Sequence, residues 1–276
     1  MKVTIGIDVG GSTTKIVGFD KNKKIIAPLH VKANDQLTSV YGAFGKFCSV
    51  NSIDLDDIED ILMTGVGSTY VNGPLYKLEC KKEIEFPCIA RGGLFLSGLD
   101  EAIVVSMGTG TAIVYARSDG KHKYLGGTGV GGGTMMGLSK KFLGISSVHN
   151  FADLADEGDL SNIDLRVCDI TRNDIHPDLP PTLTAANFGK VSEMATTSDL
   201  ALGILNMIFE TIAMLSVFAA RSYGIKDIVL TGNLTNIKKC SEIFSGMNEQ
   251  FGVNFIIPEN ARYATVIGAA LANFEN

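Results

Sequence analysis

The stretch "GIDVGGSTTK", residues 6–15, decides the fold. An apolar run ends in Asp8. Gly10 and Gly11 follow, then Ser12, Thr13 and Thr14, and a second β-branched run, "TKIVGFD", begins at Thr14. β-branched residues suit a pleated, half-buried surface, so the pattern predicts two strands folded over a glycine turn. Such a turn has a chemistry. Glycine allows unusual dihedrals and close approach, so the N–H groups of Gly10, Gly11 and Ser12 can converge on a phosphate. Asp8, at the strand end, is placed to hold the Mg²⁺ that accompanies a nucleotide, through water in the usual manner of that ion. The plainer reading of Asp8 is a turn-initiating aspartate. Lys15 either adds positive charge to the phosphate site or lies on the surface.

The same grammar returns about a hundred residues on. "SMGTGTAI", residues 106–113, is again strand, glycine turn, strand. Gly108, Thr109, Gly110 and Thr111 form a second candidate cradle. This duplication predicts an α/β protein with two similar lobes, each offering a hairpin turn to a shared cleft. The expected division is residues 1–98 and 99–276. Two unrelated hairpin turns are the competing reading, because glycine turns are common.

A third loop, "IVLTGNLTN" (228–236), ends a strand at Gly232 just before a helix. Bare backbone there can meet a flat base. With Gly131, Gly132 and Gly133 of "GGTGVGGGTMMGL" (126–138) it is the expected adenosine pocket. Two rival nucleotide motifs fail. No GxxxxGK[ST] occurs, and "GTGVGG" (127–132) matches GxGxxG but follows a hairpin instead of opening a βαβ unit.

Between these loops the expected elements are ordinary. Val40, Phe44 and Phe47 recur at helical spacing, "DIEDILMTGVGS" reads as a strand running into a glycine loop, and a helix passes through "ARGGLFLSGL". In the second half a hairpin turns at residues 118–120. An irregular stretch marked by Pro177, Pro180 and Pro181 precedes a long helix from about residue 198 to 221. A helix over about 237–251, a strand "VNFIIP" and a small-residue helix "ATVIGAALANF" finish the chain.

Composition bounds the function. The 276 residues are 45% hydrophobic and 20% charged, enough for two lobes with real cores. A net charge of −6 and scattered lysine pairs argue against a nucleic-acid partner. The five cysteines are odd in number and form no CxxC pair, which suits free thiols in a reducing cytoplasm. The N-terminus reads as a strand, not a signal peptide. "LALGILNMIFETIAMLSVFAA" (200–220) is long enough to span a membrane, which takes about 20 residues. It carries Glu210 near its centre, so it reads as a buried helix of a soluble protein with no membrane partner.

The loops "GIDVGGSTTK", "SMGTGTAI" and "LTGN" resemble those of the acetate and sugar kinase, actin and heat-shock ATPase superfamily. "EIEFPCIARGGLFL" (83–96), "GGTGVGGGTMMGL" and "LTAANFGK" (183–190) narrow the resemblance to the type II pantothenate kinases. It covers nearly the whole chain in the right order. The resemblance implies the two-lobed actin-like ATPase fold, MgATP as phosphoryl donor, and pantothenate as acceptor in the first step toward coenzyme A. It implies Glu85 as catalytic base, a role that its apolar setting also suits, with Glu83 the nearby alternative. Thr109 and Arg91 are implied substrate contacts. Tyr124 stands where the family places a substrate-holding arginine, with Lys123 as its nearest replacement. A homodimer is implied too, and the long helix has more apolar surface than one lobe needs. Two other functions remain open from the residues: a kinase with another hydroxyl acceptor, and an ATP-driven activator. The scattered cysteines speak against the iron–sulfur cluster that such activators hold.

Overall fold

The computed structural model describes residues 2–32, 35–172 and 180–274. Three strands open the chain as an antiparallel meander: β1 (Val3–Val9), β2 (Thr13–Asp20) and β3 (Ile25–Lys32). Helix α1 (Gln36–Val50) follows, and the Asp35 carboxylate caps it by accepting from the Thr38 amide at 2.7 Å. β4 (Ile58–Thr64) then pairs in parallel with β1, and β5 (Cys80–Lys82) with β4. The sheet order is β3-β2-β1-β4-β5. β5 has no counterpart in the sequence reading, since a three-residue strand of Cys80, Lys81 and Lys82 carries no pattern. Helix α2 (Glu85–Ser97) closes this half.

The second half repeats the arrangement. β6 (Glu101–Met107), β7 (Thr111–Arg117) and β8 (His122–Thr128) form the meander. After α3 (Gly132–Leu138), α4 (Val148–Asp156), β9 (Leu165–Arg166), α5 (Val167–Ile170) and β10 (Thr184–Ala186) comes the long α6 (Thr197–Tyr223). β11 (Asp227–Thr231), α7 (Lys238–Gly246), α8 (Asn248–Phe251), β12 (Asn254–Ile256) and α9 (Ala264–Leu271) complete the chain. The second sheet runs β12-β11-β6-β7-β8. Each sheet is thus a meander extended by two parallel strands on the side of its first strand, and the duplication is one of topology. The single helix expected over 237–251 is two, α7 and α8, separated at Met247. Pro177 lies outside the described residues.

Packing explains the pattern of apolar residues. One face of the first sheet (Ile5, Ile7, Val9, Ile16) meets Val40, Phe44 and Phe47 of α1. One face of the second sheet (Ile103, Val105, Met107) meets Ile204, Ile208 and Phe209 of α6. Among the described residues α6 is the one helix long and apolar enough to cross a membrane, and most of it is buried in this core. Its central Glu210 is satisfied, accepting from Thr184 Oγ1 at 2.7 Å and Asn187 Nδ2 at 2.8 Å. The "LTAANFGK" segment is thereby tied to the helix.

The two remaining faces hold the lobes together. Ile89 and Leu94 of α2 pack on Val104, Val114 and Val229 of the second sheet. Val266, Ile267, Ala270 and Leu271 of α9 pack on Val17 and Phe19 of the first. A boundary at 98/99 separates the sheets in sequence, but the last helix crosses back to the first sheet. Between the sheets α2 and α9 touch backbone to backbone. A Cβ on Gly92 would lie 1.8 Å from the Ala264 carbonyl oxygen, and one on Gly268 at 1.8 Å from that of Cys88.

Candidate active site

Both glycine turns sit at the ends of equivalent strands. The first is closed by the Gly10 amide donating to the Thr13 carbonyl at 2.9 Å, which leaves Gly11 and Ser12 exposed at its tip. In the second, the Gly108 amide donates to the Gly110 carbonyl at 2.9 Å. The first turn of α3 braces it from behind: the amides of Gly132 and Gly133 donate to the carbonyls of Gly108 and Thr109 at 2.9 and 2.8 Å. A Cβ on Gly131 would stand 2.8 Å from the Thr109 carbonyl oxygen, so this contact needs glycine. Gly232 has φ +93°, and a Cβ there would stand 2.5 Å from the Met107 carbonyl oxygen. It lets the end of β11 lie against the end of β6.

Ionisable side chains gather under the first turn. Asp8 and Lys15 are direct partners across β1 and β2. Lys15 is 6% exposed, so it belongs to the cleft and not to the surface. Burial pushes the Asp8 carboxyl up, with Lys15 opposing. Burial likewise pushes the Lys15 ammonium down; Asp8 and Glu85 oppose this and Arg262 adds to it. Glu85 occupies the first turn of α2, where the helix dipole favours a negative charge. Its carboxyl is nonetheless held above the ordinary glutamate range, first by burial and then by Asp8, with Lys15 opposing. Gly65, with φ +86°, closes β4 against Asp8. A Cβ there would stand 2.5 Å from the Asp8 carboxylate, so only glycine leaves the aspartate its place.

These groups open on one cavity of about 560 Å³. Of the residues expected from sequence, its wall includes Asp8, Gly10, Gly11, Ser12, Lys15, Glu85, Gly108, Thr109, Gly110, Thr111, Tyr124 and Gly232. Four expected residues are not on the wall. Gly131, Gly132 and Gly133 support the second turn as described. Arg91 lies further along α2, where its guanidinium donates to the Gly268 carbonyl at 2.7 Å and ties α2 to α9. The two alternatives, Glu83 and Lys123, are also off the wall. Glu83 donates its amide to the Met63 carbonyl at 2.8 Å, and Lys123 is exposed beside Tyr115 on the neighbouring strand.

Sequence reasoning missed Thr13, Val66, Phe86 and Thr265, which also line the cavity, as does Asn233 of the loop expected to meet the base. Asn233 had a signal, because it follows Gly232 directly. Its side-chain oxygen is buried without a hydrogen-bond partner, an acceptor that a nucleoside amine or hydroxyl can satisfy. Phe86 stacks on Tyr124 with ring centroids 4.0 Å apart and planes at 11°, a contact between α2 and β8.

Two repeated sheets, a cleft between them and glycine turns facing each other define a protein of the two-lobed actin-like ATPase fold. Solved structures bear this out at the level of fold. Component A of the (R)-2-hydroxyglutaryl-CoA dehydratase of Acidaminococcus fermentans superposes with a TM-score of 0.71 over 99% of this chain and 97% of that one, at 19% identity. A ROK family glucokinase of Streptomyces griseus, in complex with glucose and AMPPNP, gives 0.61 over 99% and 100%, at 13% identity. Sequence comparison is narrower. The Fumble family matches residues 101–247. A type II pantothenate kinase of Oceanobacillus iheyensis is 29% identical over 98% of this chain and 99% of its own. One of Staphylococcus saprophyticus is 30% identical over 83% and 84%. The chain belongs to the Fumble family of type II pantothenate kinases.

Proposed function

We propose that the protein is an ATP-dependent pantothenate kinase, which phosphorylates the terminal hydroxyl of pantothenate to give 4'-phosphopantothenate and ADP. The observation that carries this reading is the convergence of both glycine turns, Asp8, Lys15 and Glu85 on one cavity. The relatives named as type II pantothenate kinases supply the acceptor. The glucokinase of the same fold, in complex with AMPPNP, supports ATP as the donor.

The phosphates lie between the turn at Gly10–Ser12 and the turn at Gly108–Thr111. Gly232 and Asn233 face the adenosine. Asp8 would hold Mg²⁺ through water, and the ion would neutralise charge on the phosphates. Among the described residues no trio of His, Cys, Asp and Glu side chains gathers, so the ion would take most of its ligands from phosphates and water. Lys15, beside Asp8, adds positive charge when nucleotide phosphates enter the cleft. Glu85 accepts the hydroxyl proton of the acceptor. As that proton leaves, the acceptor oxygen bonds to the γ-phosphorus and the bond from that phosphorus to the bridging oxygen breaks, leaving ADP. The reaction is mainly positioning and charge stabilisation, so two lobes that close on a shared cleft suit it.

The protein acts in the cytoplasm as a homodimer, with no membrane or nucleic-acid partner. Support for the dimer is the outer side of α6, where Leu215 and Phe218 are 38% and 56% exposed beside an apolar groove that includes Leu125 and Tyr223. The test of the whole reading is ADP release by the purified protein on addition of pantothenate. Release that depends on pantothenate supports it; none at millimolar pantothenate sinks the acceptor assignment.

A further inference from the structure

Val66 is neither ionisable nor part of a phosphate turn, yet it lies on the cavity wall and is 70% exposed. It follows the end of β4, and β4 runs between β1, which carries Asp8, and β5, which leads into Glu85. Strand order therefore places Val66 between the Asp8 side and the Glu85 side of the site. Among the described residues of the first half, the one other apolar side chain on the wall is Phe86, and Tyr124 covers one of its faces at 4.0 Å.

The backbone turns the side chain there. Gly65 and Gly67 flank it, and both press on the end of β1. A Cβ on Gly65 would stand 2.6 Å from the Val9 carbonyl oxygen, and one on Gly67 would stand 2.8 Å from it. With both neighbours packed inward, Val66 is left to face the cleft. The far end of the loop is clamped. The Lys82 ammonium donates to the Ser68 carbonyl, and to the Val71 carbonyl at 2.8 Å. The Ser68 amide in turn donates to the Gly65 carbonyl at 3.0 Å. Lys82 ends β5, the strand that delivers Glu85, so one ammonium ties the loop of Val66 to the approach of the base.

The reacting hydroxyl of pantothenate sits on a methylene next to a carbon that bears two methyl groups. An acceptor whose hydroxyl meets Glu85 brings those methyl groups to the wall beside it, where Val66 offers an apolar surface in a polar surround. We propose that Val66 sets acceptor specificity by packing on these methyl groups, and that Lys82 is the positioning residue that holds it in place. The inference rests on the kinase reading above. An apolar contact of this size is worth about ten-fold or more in discrimination.

The test uses the full chain at saturating MgATP, with pantothenate and with its analogue lacking the two methyl groups; the KM for ATP is measured in parallel. The wild type is expected to show a kcat/KM about ten-fold or more higher for pantothenate, the difference lying in KM. Val66→Ser, at an exposed position, raises the pantothenate KM, narrows the ratio and leaves the KM for ATP unchanged. Lys82→Met moves the acceptor KM in the same direction and adds little to Val66→Ser in the double variant, because it acts through Val66. A wild type that treats the two acceptors alike overturns the inference and leaves the kinase reading standing. So does a ratio that Val66→Ser does not change. A Lys82→Met protein with the wild-type ratio, or effects that add in full, overturns the positioning role. Phosphorylation of neither compound overturns the kinase reading and this inference with it.

Discussion

Asp8 and Lys15 face each other across the first hairpin, and each is drawn out of water beside the other's charge. Burial favours the neutral form of both groups and their mutual attraction favours the charged form, so the pair is poised. A cation and phosphates arriving from the cleft would tip it toward charge. Asp8→Asn leaves Lys15 in place but removes the carboxylate. The expected outcome is a folded protein whose activity requires a higher Mg²⁺ concentration. A magnesium titration identical to wild type would reduce Asp8 to a turn residue.

Glu85 stands in the first turn of α2 on the cavity wall, whereas Glu83 does not. Glu85→Gln is nearly isosteric and lies away from the expected adenosine pocket. Turnover should fall by about 10²–10⁴-fold, the usual scale of general acid–base catalysis, with nucleotide affinity retained. Calorimetry for binding and single-turnover kinetics for chemistry separate the two. Wild-type turnover would remove the role from Glu85.

The raised Glu85 carboxyl predicts the acid limb of the pH profile. A base works when deprotonated, so activity rises as pH climbs through its pKa and is lost below it. Because burial and Asp8 hold that pKa above the ordinary glutamate value, the limb should fall at a higher pH than an unperturbed glutamate would give. The kcat/KM profile of the wild type should show this limb, and that of Glu85→Gln should lack it. A flat profile down to the ordinary glutamate range would contradict the assignment.

Much of the site was legible because its chemistry is local. Asp8, Gly10, Gly11 and Ser12 lie within five residues, and a glycine turn between β-branched runs, common by itself, becomes informative when it recurs. Gly108–Thr111 repeat it, so the duplicated topology could be read before the sheets were seen. What escaped depends on tertiary approach. Thr265 reaches the cavity only because α9 returns to the first sheet, and no local signal marks that. Gly65 looks like any loop glycine until β4 is laid against Asp8. Gly131–Gly133 were read as nucleotide contacts because a glycine run looks the same whether it bares itself to a ligand or to the carbonyls of Gly108 and Thr109. Arg91 was implied as a contact by resemblance, but its place along α2 points it to α9.

The α2–α9 crossing gives a prediction independent of catalysis. Gly268→Ala puts a methyl group where the Cys88 carbonyl oxygen lies 1.8 Å away, so the helices must separate. Overpacking of this kind typically costs about 1–3 kcal/mol. A chain of this size loses about 2–4 °C of Tm per kcal/mol, so thermal melting should show a clear fall. Gly224→Ala does not serve as the control, because Gly224 has φ +67°; Gly137, with nothing near its would-be Cβ, does. Equal melting of Gly268→Ala and Gly137→Ala would contradict the packing.

The central claim is that the cleft transfers the γ-phosphoryl group to a hydroxyl acceptor and does not merely hydrolyse ATP. Mass spectrometry of the complete reaction, with ADP counted in parallel, tests it most directly. The account predicts 4'-phosphopantothenate in equal amount to the ADP formed, and loss of both in Glu85→Gln. ADP formed at the same rate without acceptor, and no phosphorylated product, would contradict it and make the protein a nucleotide-driven switch.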